Sequence, residues 1–254
     1  MSLVRAVVLA GGKGARLSPY TAILPKPLMP VGDQAIVEIL IRQLKHSGCR
    51  RITMALGHLA HLVQAVLGNG DNLDVQIDYS IEHTPLGTSG PLLLIERPSQ
   101  TFIVLNGDVL TDLSFEDLLN FHSTNNAVAT IATHRRTVNI DYGVVHREDL
   151  RMVGYEEKPM MNYEVSMGIY VLEPSVLRYI PPTSYQDFPD LVRILLENRE
   201  KVLCYPHEGI WFDLGRVEDF QKVQELSDTL AEQIPFFRAN QTDSHTSHEK
   251  RNSQ

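Results

Sequence analysis

Short apolar runs alternate with helix-like segments along the first half of this chain. The run at residues 4–10 is apolar except for Arg5, as is typical of a strand covered on both faces. Helical periodicity follows at residues 34–46, with Asp33 as the predicted N-cap. A strand, a helix and a third strand are then predicted at residues 51–56, 58–67 and 74–79. Strands that alternate with helices form parallel βαβ units with helices on both sheet faces, so the pattern predicts an α/β fold.

The second half of the chain has more closely spaced strands. A buried strand is predicted at residues 101–105, and a helix with Ser114 as its N-cap at residues 114–123. Strands at residues 127–133, 143–146, 152–156 and 165–172 indicate a mixed, partly antiparallel extension of the sheet. Helices are predicted at residues 186–198 and 215–231, with a strand at residues 201–205 between them.

These segments predict one Rossmann-like domain at residues 1–236, with a mixed, mainly parallel central sheet flanked by helices. Residues 237–254 are polar and lack apolar periodicity, which predicts a disordered tail. No internal repeat is present, and in particular no hexapeptide array of the kind that builds a β-helix, so we expect no β-helix domain.

The charge balance excludes a broad nucleic-acid or membrane surface. The chain has 254 residues and a net charge of −8, from 23 Lys and Arg against 31 Asp and Glu. Cys49 and Cys204 are far apart and form no CxxC pair, so neither a disulfide framework nor a zinc site is indicated. The sequence shows no signal peptide and no apolar run long enough to cross a bilayer, and we expect a cytoplasmic protein.

A long loop rich in glycine, proline and basic residues follows the first strand, at residues 9–32 (LAGGKGARLSPYTAILPKPLMPVG). It matches neither a Walker A loop nor a dinucleotide-binding fingerprint, because the required glycines and hydroxyl residue are missing. Its glycines still allow backbone N–H groups to approach a polyphosphate. Lys26 stands between Pro25 and Pro27, which stiffen the chain on either side of the ammonium group. The loop therefore predicts an anion site.

Residues 9–17 (LAGGKGARL) and 25–28 (PKPL) together resemble the two-part signature of the sugar-1-phosphate nucleotidyltransferases, or NDP-sugar pyrophosphorylases. The resemblance extends from residue 4 to about residue 228 and is strongest to the mannose-1-phosphate and heptose-1-phosphate guanylyltransferases. It implies a nucleotidyltransferase type A fold. It also implies an enzyme that transfers a nucleotidyl group from an NTP to a sugar 1-phosphate and releases pyrophosphate.

The same resemblance assigns the catalytic and metal-binding residues. The implied catalytic residues are Arg16, Lys26 and Lys158. Asp108 and Asp213 are implied to bind Mg²⁺, which takes few protein ligands and prefers oxygen. Asp108 follows a buried strand, where a carboxylate lies over the crevice in which α/β proteins bind ligands. By itself, Asp108 could also be a turn or capping residue.

Two further sets of binding residues follow from the resemblance. The nucleotide-binding set is Leu9, Ala10, Gly11, Gly12, Gly14, Glu82, Pro85, Gly87 and Thr88. The sugar-phosphate-binding set is Gly143, Glu157, Lys158 and Ser166. Glu82 favours GTP, because a carboxylate accepts hydrogen bonds only and guanine offers two adjacent donors on one edge.

Several alternatives stay open at this stage. Residues 166–168 are Ser-Met-Gly where most of the family has Asn-Ala-Gly, which leaves a modified hexose, a heptose or a cyclitol phosphate as the sugar substrate. UTP, dTTP or CTP could replace GTP. A non-catalytic, nucleotide-sugar-binding regulatory homologue is a different class of function, although such a protein should lack Arg16, Lys26 or the acidic pair. A homodimer also stays open as the assembly.

Overall fold

The computed structural model describes residues 4–182, 184–234 and 237. Its strands are β1 (Arg5–Ala10), β2 (Pro30–Val31), β3 (Gln34–Ala35), β4 (Arg51–Leu56), β5 (Gln76–Ile81), β6 (Phe102–Asn106), β7 (Val109–Thr111), β8 (Ala129–Asn139), β9 (Gly143–Glu148), β10 (Arg151–Glu157), β11 (Met160–Leu172), β12 (Val202–His207) and β13 (Trp211–Asp213). Its α-helices are α1 (Ile36–His46), α2 (Ala60–Leu67), α3 (Phe115–Thr124), α4 (Phe188–Glu197), α5 (Val217–Glu225) and α6 (Ser227–Gln233).

The central sheet has seven strands in the order β12-β8-β11-β6-β1-β4-β5. Strand β1 pairs in parallel with β4 and β6, and β5 continues the parallel set beside β4. Strand β11 is antiparallel to both of its neighbours, β6 and β8, whereas β12 is parallel to β8. The predicted mixed, mainly parallel α/β sheet is therefore confirmed.

Strand β1 lies between two hydrophobic layers, one on each face of the sheet. Ala6 and Val8 point to one face of the sheet, where they pack with Leu40 and other residues of α1, α2 and α3. Val7 points to the opposite face, in the same cluster as Leu191 of α4. All three β1 side chains are fully buried. Coverage on both faces explains why β1 is a nearly continuous apolar run.

Three local predictions are wrong. Helix α1 begins at Ile36 rather than after Asp33, because residues 30–31 and 34–35 pair as a hairpin with Gly32 at a φ of 62°. Strands β9 and β10 form a separate two-stranded sheet instead of extending the central one. The helix predicted at residues 215–231 is two helices that meet at Leu226, so that Leu230 packs into a third apolar cluster.

Other predictions hold or fall outside the described residues. Ser114 caps α3, since its Oγ accepts a hydrogen bond from the Asp117 N–H at 3.2 Å. The predicted disordered tail lies almost entirely beyond the described residues. Within the described part of the chain, no helix combines the length and apolar character needed to cross a membrane.

Candidate active site

A cavity of about 820 Å³ opens at the carboxyl ends of four parallel strands. Strands β1, β4, β5 and β6 end at this edge, and the residue after each strand lines the cavity. These four residues are Gly11, Gly57, Glu82 and Gly107. Ligands of open α/β sheets bind at this edge, so the topology alone identifies the cavity as the candidate site.

Glu82 is held at one end of the cavity by close backbone packing. Its Oε2 accepts a hydrogen bond from the Leu86 N–H at 3.1 Å. A Cβ atom on Gly11 would lie 2.5 Å from Glu82 Oε1, and a Cβ atom on Gly57 would lie 2.9 Å from the same oxygen. Any side chain at either glycine would therefore displace the carboxylate. The first glycine of the opening loop makes room for Glu82 as well as for a ligand.

The loop after Glu82 is joined to the start of α4. The Leu86 carbonyl accepts from the Gln186 N–H at 2.9 Å, and the Gln186 carbonyl accepts from the Ser89 N–H at 3.0 Å. Asp187 Oδ1 accepts from the N–H and hydroxyl of Thr88 at 3.0 and 3.1 Å. Asp187 is also the N-cap of α4, in a capping box with Asp190. This end of the cavity is thus fixed by contacts between distant parts of the chain.

Lys26 brings the two predicted metal-binding carboxylates to one point. Its Nζ forms an ion pair with Asp108 and lies 4.0 Å from Asp213 Oδ1. Strands β7 and β13 cause this convergence, because Val109 pairs with Asp213 and the Leu214 N–H donates to the Asp108 carbonyl at 2.9 Å. Burial lowers the pKa of Lys26 to about 8; Asp213 opposes this shift and Arg16 adds to it.

The ion pair between Arg136 and Asp219 supports Asp213. The Oδ1 of Asp213 accepts a hydrogen bond from the Gly215 N–H at 2.9 Å, and the N–H of Asp213 donates to Asp219 Oδ2 at 3.2 Å. Arg136 in turn donates to both oxygens of Asp219, at 2.8 and 3.1 Å. Arg136 and Asp219 therefore position Asp213 through its backbone.

The donor set at Asp108 and Asp213 fits a small divalent cation. Both carboxylates already contact one positive group, Lys26, and both supply the hard oxygen ligands that Mg²⁺ prefers. No cluster of three or more His, Cys, Asp or Glu side chains able to hold a metal occurs among the described residues. Two carboxylates are sufficient for Mg²⁺, which usually keeps water and phosphate oxygens as its other ligands.

Most of the sequence-predicted residues meet at this cavity. All nine of the predicted nucleotide-binding residues line it, and so do Arg16, Lys26 and Asp108. Asp213 adjoins it through Lys26. Sequence reasoning missed His58, Asn106, Tyr185 and Asp187 in the cavity wall, and Arg136 and Asp219 behind it. Of these, Asp187 carried a local signal in the Asp-x-x-Asp pattern of a capping box, and Asn106 carried one in its position at the end of a predicted buried strand.

The predicted sugar-phosphate residues lie outside the wall of this cavity as the described residues form it. Gly143, Glu157 and Lys158 are at the base of the β9–β10 hairpin, where Tyr155 donates a hydrogen bond to Glu157 Oε2 at 2.7 Å. Ser166 stands at an irregularity in β11, where the pairing with β8 shifts between residues 166 and 170. The structure thus separates this set from the nucleotide set.

Comparison with known proteins identifies relatives over most of the chain. The family model described as nucleotidyl transferase matches residues 5–229. A mannose-1-phosphate guanyltransferase of Yarrowia lipolytica is 34% identical over 230 residues, which cover 85% of this chain and 62% of that protein. A UTP–glucose-1-phosphate uridylyltransferase of Synechocystis is 32% identical over 238 residues, covering 85% of this chain and 61% of that protein. The chain thus spans about three fifths of the length of these curated relatives.

Solved structures show the same fold. HddC from Yersinia pseudotuberculosis, complexed with GMP-PN, superimposes with a TM-score of 0.67 at 23% identity. The match covers 87% of this chain and 98% of that one. At this level of identity, the similarity establishes a shared fold and nothing further.

Proposed function

Because this chain belongs to the nucleotidyl transferase family, we propose that it transfers a nucleotidyl group from an NTP to a sugar 1-phosphate and releases pyrophosphate. One observation carries the proposal. A single cavity at the carboxyl edge of the sheet gathers the glycine-rich turn, the cations Arg16 and Lys26, and Asp108. A reaction between two anionic substrates needs this combination of backbone donors, positive charge and a metal-binding carboxylate.

In the proposed reaction, a phosphate oxygen of the sugar 1-phosphate attacks the α-phosphorus of the NTP. The new bond joins that oxygen to the α-phosphorus, and the bond from the α-phosphorus to the bridging oxygen of the β-phosphate breaks. Pyrophosphate leaves with the electron pair. Backbone N–H groups of the turn at Gly11 and Gly12 orient the phosphates, while Arg16 and Lys26 offset the negative charge that develops on the leaving group.

Members of the family generally use a divalent metal ion. We propose that the ion is Mg²⁺ and that Asp108 and Asp213 hold it. When bound, it would neutralise charge on the phosphate oxygens. Lys26 contacts both carboxylates, so its ammonium group lies close to the place where the phosphates and the ion would meet.

For the base we propose guanine. Glu82 is an acceptor-only group fixed at one end of the cavity, and the Leu86 N–H uses only one lone pair of its Oε2. The remaining lone pairs can accept the ring N–H and the amino group of guanine. UTP is the second candidate, because a uridylyltransferase is among the relatives at 32% identity.

We propose that the sugar 1-phosphate binds between the cavity and the β9–β10 hairpin, in contact with Gly143, Glu157, Lys158 and Ser166. Support comes from Gly168, two residues after Ser166. A Cβ atom on Gly168 would lie 2.5 Å from the side-chain nitrogen of Asn106, which itself lines the cavity. The irregular part of β11 therefore adjoins the nucleotide site. Ser166 is shorter than the asparagine that most of the family has at this position, and this difference favours a sugar other than unmodified mannose or glucose.

We also propose a cytoplasmic location and a homodimeric assembly. Both cysteines, buried Cys49 and exposed Cys204, are free thiols, as in proteins of reducing compartments. Two-fold symmetric dimers are the commonest of the soluble homo-oligomers.

Pyrophosphate release tests the proposed reaction. The assay would combine GTP, UTP, CTP, ATP and dTTP with the 1-phosphates of mannose, glucose, a modified hexose and a heptose and with a cyclitol phosphate, each in the presence of Mg²⁺. We expect one strongest combination that contains GTP and requires the sugar 1-phosphate. Release from no combination, or release that does not depend on the sugar 1-phosphate, would contradict the proposal.

A further inference from the structure

Tyr185 is a cavity residue whose side chain no motif predicted. It lies just before α4, lines the cavity and is 63% exposed. The next residue, Gln186, is held by the loop after Glu82, because the Gln186 N–H donates to the Leu86 carbonyl at 2.9 Å. The Gln186 carbonyl also accepts from Ser89 and Gly90 at 3.0 and 3.3 Å. The position of Tyr185 is therefore coupled to the loop that carries Glu82.

The hydroxyl group of Tyr185 is fixed as well. It donates a hydrogen bond to Asp187 Oδ2 at 2.8 Å, while Asp187 Oδ1 accepts from Thr88. The hydrogen bond and the charge of Asp187 raise the pKa of the phenol, and the charge of Glu82 contributes in the same direction. The ring is thus a neutral aromatic surface within electrostatic range of Glu82.

An exposed aromatic ring with a fixed hydroxyl group is suited to stacking on a planar ligand. Only two side-chain torsions position a tyrosine ring, and the bond to Asp187 restricts both, so little conformational entropy is lost when a ligand stacks on it. Base-on-ring stacking tolerates any base, because every base has a π-face. Glu82 and Tyr185 would therefore act on different parts of the same group, the carboxylate on the edge of a base and the ring on its face.

We propose that Tyr185 is a stacking residue for the nucleobase of the NTP and covers the base at the end of the cavity where Glu82 lies. This inference rests on the proposed function and deepens it. It assigns general nucleotide affinity to the ring and choice of base to Glu82.

Direct binding of nucleotide to the full chain tests the proposal. Isothermal titration with GTP, UTP, CTP, ATP and dTTP would be carried out with Mg²⁺ but without sugar 1-phosphate, so that no turnover occurs. Pyrophosphate would serve as a second probe that has the phosphates but no base. The variants are Tyr185→Leu, which removes the ring, and Tyr185→Phe and Tyr185→Trp, which keep a stacking surface. Tyr163→Leu is the matched control, since Tyr163 is also an exposed tyrosine and does not line the cavity.

We expect Tyr185→Leu to weaken binding of the tightest nucleotide about thirtyfold, the middle of the range for loss of one stacking contact. Its affinity for pyrophosphate should stay within about twofold of the wild type, and the Phe and Trp variants should bind nucleotide within about threefold. Equal nucleotide affinity in the Leu variant and the wild type would overturn the stacking role. So would a parallel loss of pyrophosphate affinity, which would indicate a structural effect on the whole site.

Failure of the proposed function alone would appear differently, as nucleotide binding by the wild-type chain with no pyrophosphate release that depends on a sugar 1-phosphate. If the wild-type chain bound none of the five nucleotides, both the proposed function and the role of Tyr185 would be overturned together. Melting temperatures of all variants provide the fold control. The Phe and Trp variants keep the test valid if the Leu variant is poorly folded, because loss of nucleotide affinity in either of them, with pyrophosphate binding unchanged, would also contradict stacking.

Discussion

The ion pair between Arg136 and Asp219 allows a quantitative prediction about the support of Asp213, the proposed metal-binding carboxylate. Arg136 donates to both oxygens of Asp219, and Asp219 Oδ2 also accepts the N–H of Asp213. The Asp219 side chain is only 10% exposed. Replacing Arg136 with methionine would leave this nearly buried carboxylate with one backbone donor and no compensating charge.

The structure sets the size of the expected effect. Removing one partner of a fully buried ion pair costs about 3–5 kcal/mol. Arg136 is 29% exposed, so water can partly replace it, and we expect the free energy of unfolding to fall by about 2 kcal/mol. In a protein of this size that loss corresponds to a decrease in melting temperature of about 4–8 °C. Because Asp213 loses part of its support, turnover should also fall by about tenfold.

Urea unfolding followed by circular dichroism would measure the stability of Arg136→Met. The double variant Arg136→Met/Asp219→Asn removes both charges and should recover at least half of the loss, since an amide oxygen still accepts the Asp213 N–H. Arg193→Met is the control, because Arg193 pairs with Asp190 on the surface and is 70% exposed; this change should cost under about 0.5 kcal/mol. An Arg136→Met variant as stable as this control would show that Arg136 does not stabilise the Asp219 carboxylate.

Three further changes are informative. Asp108→Asn should abolish divalent-metal-dependent pyrophosphate release while leaving the circular dichroism spectrum intact, and unchanged turnover at saturating Mg²⁺ would remove Asp108 from the metal site. Glu82→Gln should lower kcat/KM for GTP about tenfold more than for UTP, because a carboxylate–donor hydrogen bond is lost; an equal decrease would contradict guanine recognition. Burial lowers the pKa of His122 from 6.5, so the unfolded chain takes up a proton at higher pH than the folded chain does. The free energy of unfolding should therefore fall as pH decreases through 6.5, and His122→Gln should weaken that dependence; the same slope in the variant and the wild type would show that other groups cause it.

Strands β1 and β6, which both end at the cavity, were predictable because they are nearly continuous apolar runs. Burial on both faces leaves a clear signal in residues 5–10 and 102–106, and each such strand ends directly at a cavity residue. Asp108 could be located on this basis. Its approach to Asp213 could not be derived from the pattern, because β7 and β13 have three residues each and are too short to show a period.

The other residues and elements that the sequence did not predict correctly depend on contacts that leave no local sequence pattern. Arg136 and Asp219 are 83 positions apart, and a charged residue in an exposed strand gives no indication of its partner. Asp33 was misassigned as a helix cap because Gly-Asp is equally typical of a tight hairpin turn, which the short strands on either side form here. Strands β9 and β10 alternate like sheet strands but are exposed, so no buried face specified which sheet they would join.

The proposed nucleotidyl transfer requires that the bond broken lies at the α-phosphorus of the NTP. The most direct measurement is the fate of phosphorus label in a reaction with Mg²⁺ and the preferred sugar 1-phosphate. We expect label from [α-³²P]GTP to be recovered in a nucleotide sugar and label from [γ-³²P]GTP in pyrophosphate. Transfer of the γ-label to the sugar phosphate, or its release as inorganic phosphate with no nucleotide sugar formed, would contradict nucleotidyl transfer.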